Sequence, residues 1–196
     1  MNKVAIILNS ILFSCICFSV FGQQDLLQIV SSDSSLHVRW ENVAKGRSNN
    51  ALGRSSVQPR ATLMINSAFS KEALHTLGKP DRAFTDNGTF ILEFQRIGLT
   101  LYMGKNRTLR KAVIESADAV IDETGERIGN VLSLIQYSAQ QCICNIKKDG
   151  FMELTFPESK VTFMVETRTR KIRAIEIVAE VERKKGNCEC PKVRKD

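Results

Sequence analysis

From Thr89 to Met103 the chain alternates. Phe90, Leu92 and Phe94 occupy every second position of TFILEF, and Leu99, Leu101 and Met103 do the same in LTLYM, the period of strands with one buried face. Asn87-Gly88 ahead of the first run is a tight-hairpin signal, Arg96 to Gly98 makes the next turn, Gly104 to Arg107 another, and TLRKAVIES from Thr108 closes the set. Upstream, ATLMI at 61–65 reads as a strand, and Ser70 caps a short helix through Leu77 with Ala73, Leu74 and Leu77 on one face. Gly78 supplies the left-handed cap and Pro80 forbids continuation, so Leu-Gly-Lys-Pro at 77–80 is helix punctuation. A phosphate-binding loop needs more glycines and opens a helix, whereas this one closes a helix.

The pattern recurs. Without a gap, an offset of 62 sets GTFILEFQRIGLTLYM from Gly88 above GFMELTFPESKVTFMV from Gly150, matching Leu92 with Leu154, Phe94 with Phe156 and Leu101 with Phe163. After one inserted residue LRKAVI falls on IRAIEI, and NVLSLIQYSA at 130–139 takes the place of the first helix, with Asn130 as its cap. The expected fold class is therefore α+β: two tandem helix-plus-antiparallel-strand repeats forming one sheet, with helices packed on one face. The expected boundaries are a signal peptide at 1–22, a polar basic lead-in at 23–60 that is extended or disordered, a first repeat at 61–116, a connector at 117–129, a second repeat at 130–182 and a basic Cys-containing tail at 183–196.

Leu77, Gly78, Pro80, Gly98 and Leu99, a helix ending in Leu-Gly-x-Pro and then a hairpin whose third strand begins Gly-Leu, resemble the small modules of the BamE/SmpA outer-membrane-assembly lipoproteins. Two in tandem are similar to the β-lactamase-inhibitor protein (BLIP-like) architecture, over roughly residues 61–180; the second copy carries Gln140, Gln141 and Cys142 where the first has Gly-Lys-Pro. The resemblance implies a non-enzymatic domain that binds other proteins, or assists envelope assembly, through the open face of an antiparallel sheet.

The N-terminus adds a compartment. Lys3, an apolar run from Val4 to Phe21, and Gly22 ahead of Gln23 have the layout of a secretory signal with cleavage near Gln23. Asn9, Ser10, Ser14 and Ser19 interrupt the run, and no basic stop-transfer cluster follows, which argues against a membrane anchor. Leu12 to Cys15 form a loose lipobox, the alternative in which Cys15 is lipidated and the protein tethered. The expected location is the periplasm or the extracellular space.

The net charge of +7 belongs to the flanks: residues 45–60 hold four basic residues and no acid, residues 183–196 six basic and two acidic, and 61–182 sixteen of each sign. That fits loose association with an anionic membrane surface and gives an exported chain no reason to bind nucleic acid.

Four cysteines are the most specific chemistry. Cys142, Cys144, Cys188 and Cys190 form two Cys-x-Cys pairs, which in an exported chain read as two disulfides. A bridge inside either triplet is strained, and two cross-linked connectivities remain. The alternative is a metal-binding or redox-active envelope protein in which the same four thiolates hold zinc or copper, although zinc favours wider spacing. His37 and His75 lack the company a catalytic base needs, and no Ser or Cys has a recognisable nucleophile context, so no catalytic residue is assigned and an enzyme is not expected. DETGE at 122–126 lacks the alternating oxygens of a calcium loop and reads as a solvated connector. Asn87 and Asn106 lie in glycosylation sequons, but hairpin turns demand Asn at the same places.

The remaining candidate is the outward sheet face. With Phe90, Leu92 and Phe94 turned to the helices, Ile91, Tyr102 and Arg110 of the first repeat and Phe151, Met164 and Arg173 of the second face away. Aromatic, Met and Arg residues among polar ones suit a surface for another secreted or envelope protein. The competing expectation is that the flanking segments cover this face as a second core.

Overall fold

A computed structural model describes residues 27–31, 36–40, 61–121, 125–134, 137–181 and 186–191; of Ala61 and Glu72 only the backbone is described. The expected signal peptide with Cys15 and the basic block at 45–60 lie outside these residues.

Among the described residues the regular elements are twelve strands, one short α-helix and a 3-10 turn at Gln95–Ile97. β4 (Arg82–Asp86), β5 (Thr89–Phe94), β6 (Leu99–Met103) and β7 (Leu109–Ile114) form one antiparallel meander, and β9 (Ile143–Ile146), β10 (Phe151–Phe156), β11 (Val161–Glu166) and β12 (Ile172–Val178) form another. The last strand of each meets the other, giving an eight-stranded sheet of order β4-β5-β6-β7-β12-β11-β10-β9. The seam is antiparallel, with Ile114 opposite Ile175 and Ala112 opposite Ile177. β1 (Leu27–Val30), β2 (His37–Trp40), β3 (Ala61–Met64) and β8 (Ala119–Ile121) form a second sheet of order β3-β1-β2-β8, in which β1 and β3 run parallel.

Side-chain alternation sets the layers. Phe94, Leu101, Ile114, Ile175, Phe163 and Leu154 point to one face of the large sheet, and there they join Leu27, Ile29, Val38, Trp40 and Leu63 of the small sheet in one buried cluster. Trp40 shows how the layers lock. It is 1% exposed, and its indole N–H donates to the carbonyl of Ile97, 3.0 Å away, in the turn between β5 and β6. That turn ends on Gly98 at φ 57°, where a Cβ would lie 2.7 Å from the backbone nitrogen of Ser116, so only glycine fits. Tyr137 adds an aromatic group, with its ring centroid 4.4 Å from Phe156 and 5.3 Å from Phe163.

The expected α+β class is corrected here: the protein is nearly all β. The first helix exists, α1 (Lys71–Leu77), capped by Ser70 Oγ accepting from the Ala73 amide at 3.1 Å and closed by Gly78 at φ 74°. It is a single element of seven residues that adds Ala73 and Leu77 to the core. The second helix, expected at 130–139, does not form in the described part of that segment. Val131 bridges Lys171, the carbonyl of Asn130 accepts the Ile172 amide at 2.8 Å, and the Leu132 amide donates to Arg170 at 3.1 Å. Backbone groups a helix would bond along its own axis are spent sideways on the start of β12, and Leu132 and Tyr137 reach the core from an irregular segment. The layer over the inner face is accordingly the small sheet rather than a pair of helices.

The lead-in is extended where it is described, but it is also buried, and the connector is less solvated than its sequence suggests. Residues 27–30 and 37–40 of the lead-in are strands whose Leu27, Ile29, Val38 and Trp40 are almost wholly buried. In the connector, β8 is buried throughout, and Glu126 of the DETGE stretch is 5% exposed, with Oε1 accepting from the Ser133 amide at 2.8 Å. Ala119, Ile121 and Glu126 of the connector are thus buried rather than solvated.

Trp40→Ala should lower stability by about 3–5 kcal/mol, seen as a lower urea midpoint at unchanged slope by far-UV circular dichroism. Met64→Ala, at a side chain 45% exposed, should shift it by no more than about 0.5 kcal/mol.

Candidate functional site

None of the residues on the outer face of the large sheet belongs to the core cluster. The competing expectation placed flanking segments there; the strands of the lead-in cover the inner face instead.

Register arranges this face in rows. One row crosses all eight strands, from Arg82 through Glu93, Thr100, Val113, Glu176, Thr162 and Thr155 to Ile143. A second runs from Phe84 through Ile91, Tyr102 and Lys111 to Val178, and a third from Ala174 through Met164 and Glu153 to Asn145. Opposite charges are neighbours along and between the rows: Arg82–Glu93 at 3.3 Å, Lys111–Glu176 at 3.5 Å, Lys147–Glu153 at 2.9 Å and Arg173–Glu166 at 3.2 Å. Two of the cations also lie over aromatic rings, Arg82 over Phe84 at 5.3 Å and Lys111 over Tyr102 at 4.3 Å. Each such surface pair is worth about 0–1 kcal/mol. Their joint effect is to hold long side chains flat against the sheet.

Of the six residues expected on this face, Tyr102, Phe151 and Met164 stand there half-buried, while Ile91 is only 6% exposed and supports Tyr102 rather than offering a contact of its own. Arg110 and Arg173 fall on β-bulges, at the register shifts opposite Tyr102/Met103 and Met164/Val165, so neither takes a place in a row. Arg110 reaches back to Asn66 Oδ1 at 2.7 Å and Glu180 at 3.8 Å, and Arg173 is engaged by Glu166. Tyr102 on β6 and Met164 on β11 are three strand spacings apart, roughly 14 Å, and thus mark two patches rather than one.

The concavity on this face escaped sequence reasoning. A shallow depression of about 290 Å³ is lined by Glu93, Gln95, Gly98, Leu99, Thr100 and Glu115. Glu93 was legible as an outward position by alternation; Glu115 enters because the chain bends back beneath Gly98, whose carbonyl accepts the Glu115 amide at 2.8 Å. Partial burial pushes the Tyr102 phenol above its ordinary value, and the carboxylates of Glu176, Glu93 and Glu115 push it the same way. Glu166 moves down, chiefly because the Thr169 hydroxyl donates to it at 2.6 Å, with Arg173 assisting.

The cysteines close one end of the sheet. Cys142 is bonded to Cys190 and Cys144 to Cys188, with Cα separations of 6.2 and 5.2 Å, so the tail lies antiparallel along β9. Asn187 completes the contact: its Oδ1 accepts the Ile146 amide at 2.7 Å, and its Nδ2 donates to the Ile146 carbonyl at 3.4 Å. All four sulfurs of the alternative metal site are thereby in covalent bonds. Among the described residues no three His, Cys, Asp or Glu side chains gather to hold an ion. His37 Nδ1 pairs with Gln28 Nε2 at 3.0 Å, and His75 lies exposed in the last turn of α1. Two disulfides are the mark of an exported protein. No helix among the described residues is long and apolar enough to cross a membrane.

No protein-family model matches the chain, and no curated protein matches it. Among solved structures it is similar to an extracellular protein containing an SCP domain from Bacillus anthracis, at 10% identity and a TM-score of 0.43, covering 67% of this chain and 49% of that one. It is also similar to Citrobacter koseri AztD, at 11% identity and a TM-score of 0.20, covering 80% of this chain and 48% of that one. The chain thus spans about half the length of each. Likenesses this distant carry no functional argument.

The oxidised protein should be lighter than its sequence mass by four hydrogens under non-reducing mass spectrometry. Replacing Cys142, Cys144, Cys188 and Cys190 together by Ser opens the loop that both bridges close, 44 and 48 residues long by either bond, and should remove about 4 kcal/mol of stability, read from denaturant midpoints. Removing the inner bridge alone should cost much less, because the outer one still closes the loop.

Tyr102 should titrate above an ordinary tyrosine, and Glu176→Gln should bring it down without restoring the ordinary value, because burial is the leading cause. Its folded value is raised, so its contribution to stability is complete below the ordinary tyrosine value near 10 and is lost as pH climbs through the raised one. Ultraviolet difference titration of the two proteins reads both effects.

Proposed function

We propose that this chain is an exported, non-enzymatic protein-binding module that presents the outer face of its eight-stranded sheet to another secreted or envelope protein. The observation that carries the reading is the one-sided packing: the small sheet of β1, β2, β3 and β8 and α1 gather on the inner face, while Tyr102, Phe151 and Met164 stand half-buried on the other among paired charges. Aromatic and Met anchors ringed by satisfied polar groups are what a protein interface is built from. The BamE/SmpA-like and BLIP-like resemblance of Leu77, Gly78, Pro80, Gly98 and Leu99 supplies the two partner classes, an envelope-assembly component or a secreted protein held as by an inhibitor.

In the same reading the two meanders are copies of one unit. The support is positional: the register shifts at Tyr102/Met103 and Met164/Val165 stand at the 62-residue offset of the sequence match. The basic flanks add loose attraction to anionic membrane surfaces, and the compartment is the periplasm or the exterior, with tethering if Cys15 is the lipidated terminus.

Partner capture from an envelope extract tests the reading when run with three proteins side by side. The unaltered protein should retain a defined partner, and Tyr102→Asp combined with Met164→Asp should reduce retention at least about tenfold, the loss of one anchoring contact worth ~1.4 kcal/mol. The four-cysteine-to-serine variant should retain it below its own melting temperature. Retention indifferent to the aspartates, or dependent on the cysteines with zinc or copper bound at one equivalent, would turn the assignment to the metal or redox alternative.

A further inference from the structure

The two ends of the large sheet are treated differently. At β9 the disulfide-bound tail and Asn187 occupy the outward backbone groups. At β4 no described strand lies beyond the edge, and all five residues from Arg82 to Asp86 are exposed, Phe84 among them. An open edge is a template for another strand, and proteins ordinarily blunt it.

We propose that β4 pairs antiparallel with β4 of a second copy of this chain, centred on Phe84, joining two eight-stranded sheets into one. Hydrogen-bond alternation agrees with that register. Asn87 and Gly88, both at positive φ, make a two-residue turn, so Asp86 and Thr89 form the hydrogen-bonded closing pair of the hairpin. By alternation Phe84–Ile91 and Arg82–Glu93 are hydrogen-bonded pairs as well, which leaves the N–H and C=O of Ala83 and Thr85 aimed away from β5. Centring two copies on Phe84 sets Ala83 of each opposite Thr85 of the other, and all of these outward groups are satisfied. The Phe84 pair then falls at a non-hydrogen-bonded position, where facing side chains come closest.

Charge agrees independently. Arg-Ala-Phe-Thr-Asp is self-complementary when reversed: Arg82 of each copy meets Asp86 of the other, on the same face as Phe84. The Arg82 side chain remains 64% exposed despite its pairing with Glu93, and its guanidinium has donors to spare. Because the tail closes the β9 end, addition is possible at one edge alone. The product is a closed two-fold dimer rather than a fibre.

Sedimentation velocity over a range of concentrations, with the full oxidised protein, tests the proposal. A monomer–dimer equilibrium is expected for the unaltered chain. Asp86→Arg, which leaves the Arg82–Glu93 pair intact, should raise the dimer dissociation constant about tenfold or more by setting Arg against Arg twice. Arg82→Asp should do the same, and mixing the two variants should restore association as a heterodimer. Hydrogen exchange on the unaltered protein gives a readout that needs no variant: the Ala83 and Thr85 amides should slow as concentration rises, while Phe84 is protected throughout. A protein monomeric at every concentration would overturn the proposal. So would a dimer indifferent to both charge reversals, or protection of Ala83 and Thr85 that appears only when envelope extract is added, which would give the edge to a different partner's strand.

Discussion

The antiparallel seam between β7 and β12 is the contact on which the architecture depends. Each meander is built from neighbours in sequence, closed by tight turns, and presents only half a hydrophobic face. Pairing Ile114 with Ile175 and Ala112 with Ile177 joins residues about sixty apart and makes the two half-faces one. Only that joint face, with Phe94, Leu101, Phe163 and Phe156 on it, is wide enough to bury the small sheet, α1 and the Tyr137 ring. Loop closure makes such a pairing slow to form, since its entropy is lost before the contact forms. Its reward is a single core rather than two marginal ones.

The seam also shapes the outer face. A bulge lies on each side of it, at Arg110 and at Arg173, and an extra residue in one strand raises the local twist. The same two insertions take both arginines out of the rows and leave Tyr102 and Met164 as the side chains set nearest to them. Cross-strand ion pairs then lie beside the aromatics, so a face that no described segment covers carries its charges in pairs at Arg82–Glu93, Lys111–Glu176 and Lys147–Glu153. The sheet ends are handled by other means. At β9 covalent bonds hold a short polar tail where its few side chains could not anchor it, and Gly186 allows the close approach: a Cβ there would sit 2.4 Å from the Cys144 carbonyl oxygen.

Much of the large sheet was legible in the sequence because its signals are local. Period-two alternation, Asn87-Gly88, the Ser70 cap and the Gly78 stop each act within a few residues, and each element they mark is present. The failures have a common origin. NVLSLIQYSA has apolar spacing that suits a helix, yet its backbone bonds with β12, which lies forty residues on. LQIV and HVRW are four-residue strands in a polar stretch, too short for periodicity to show, and become strands because they complete a sheet. Glu126 reads as a solvated acid until Ser133 is seen to donate to it. Of the candidate face, Tyr102, Phe151 and Met164 follow from parity alone. Ile91, Arg110 and Arg173 do not, because burial and bulges are properties of the assembled sheet.

By itself, then, the chain determined its strands, its turns, which side chains share a face, and that four cysteines would pair across two segments. Those depend on steric preferences and alternation that neighbours settle among themselves. Which cysteine meets which, which face the lead-in strands cover, and which edge of the large sheet has no described neighbour were decided only by tertiary structure. Each requires two surfaces distant in sequence to compete for the same apolar area or the same backbone donors. That competition is settled by total burial, to which no single segment contributes enough to reveal the outcome.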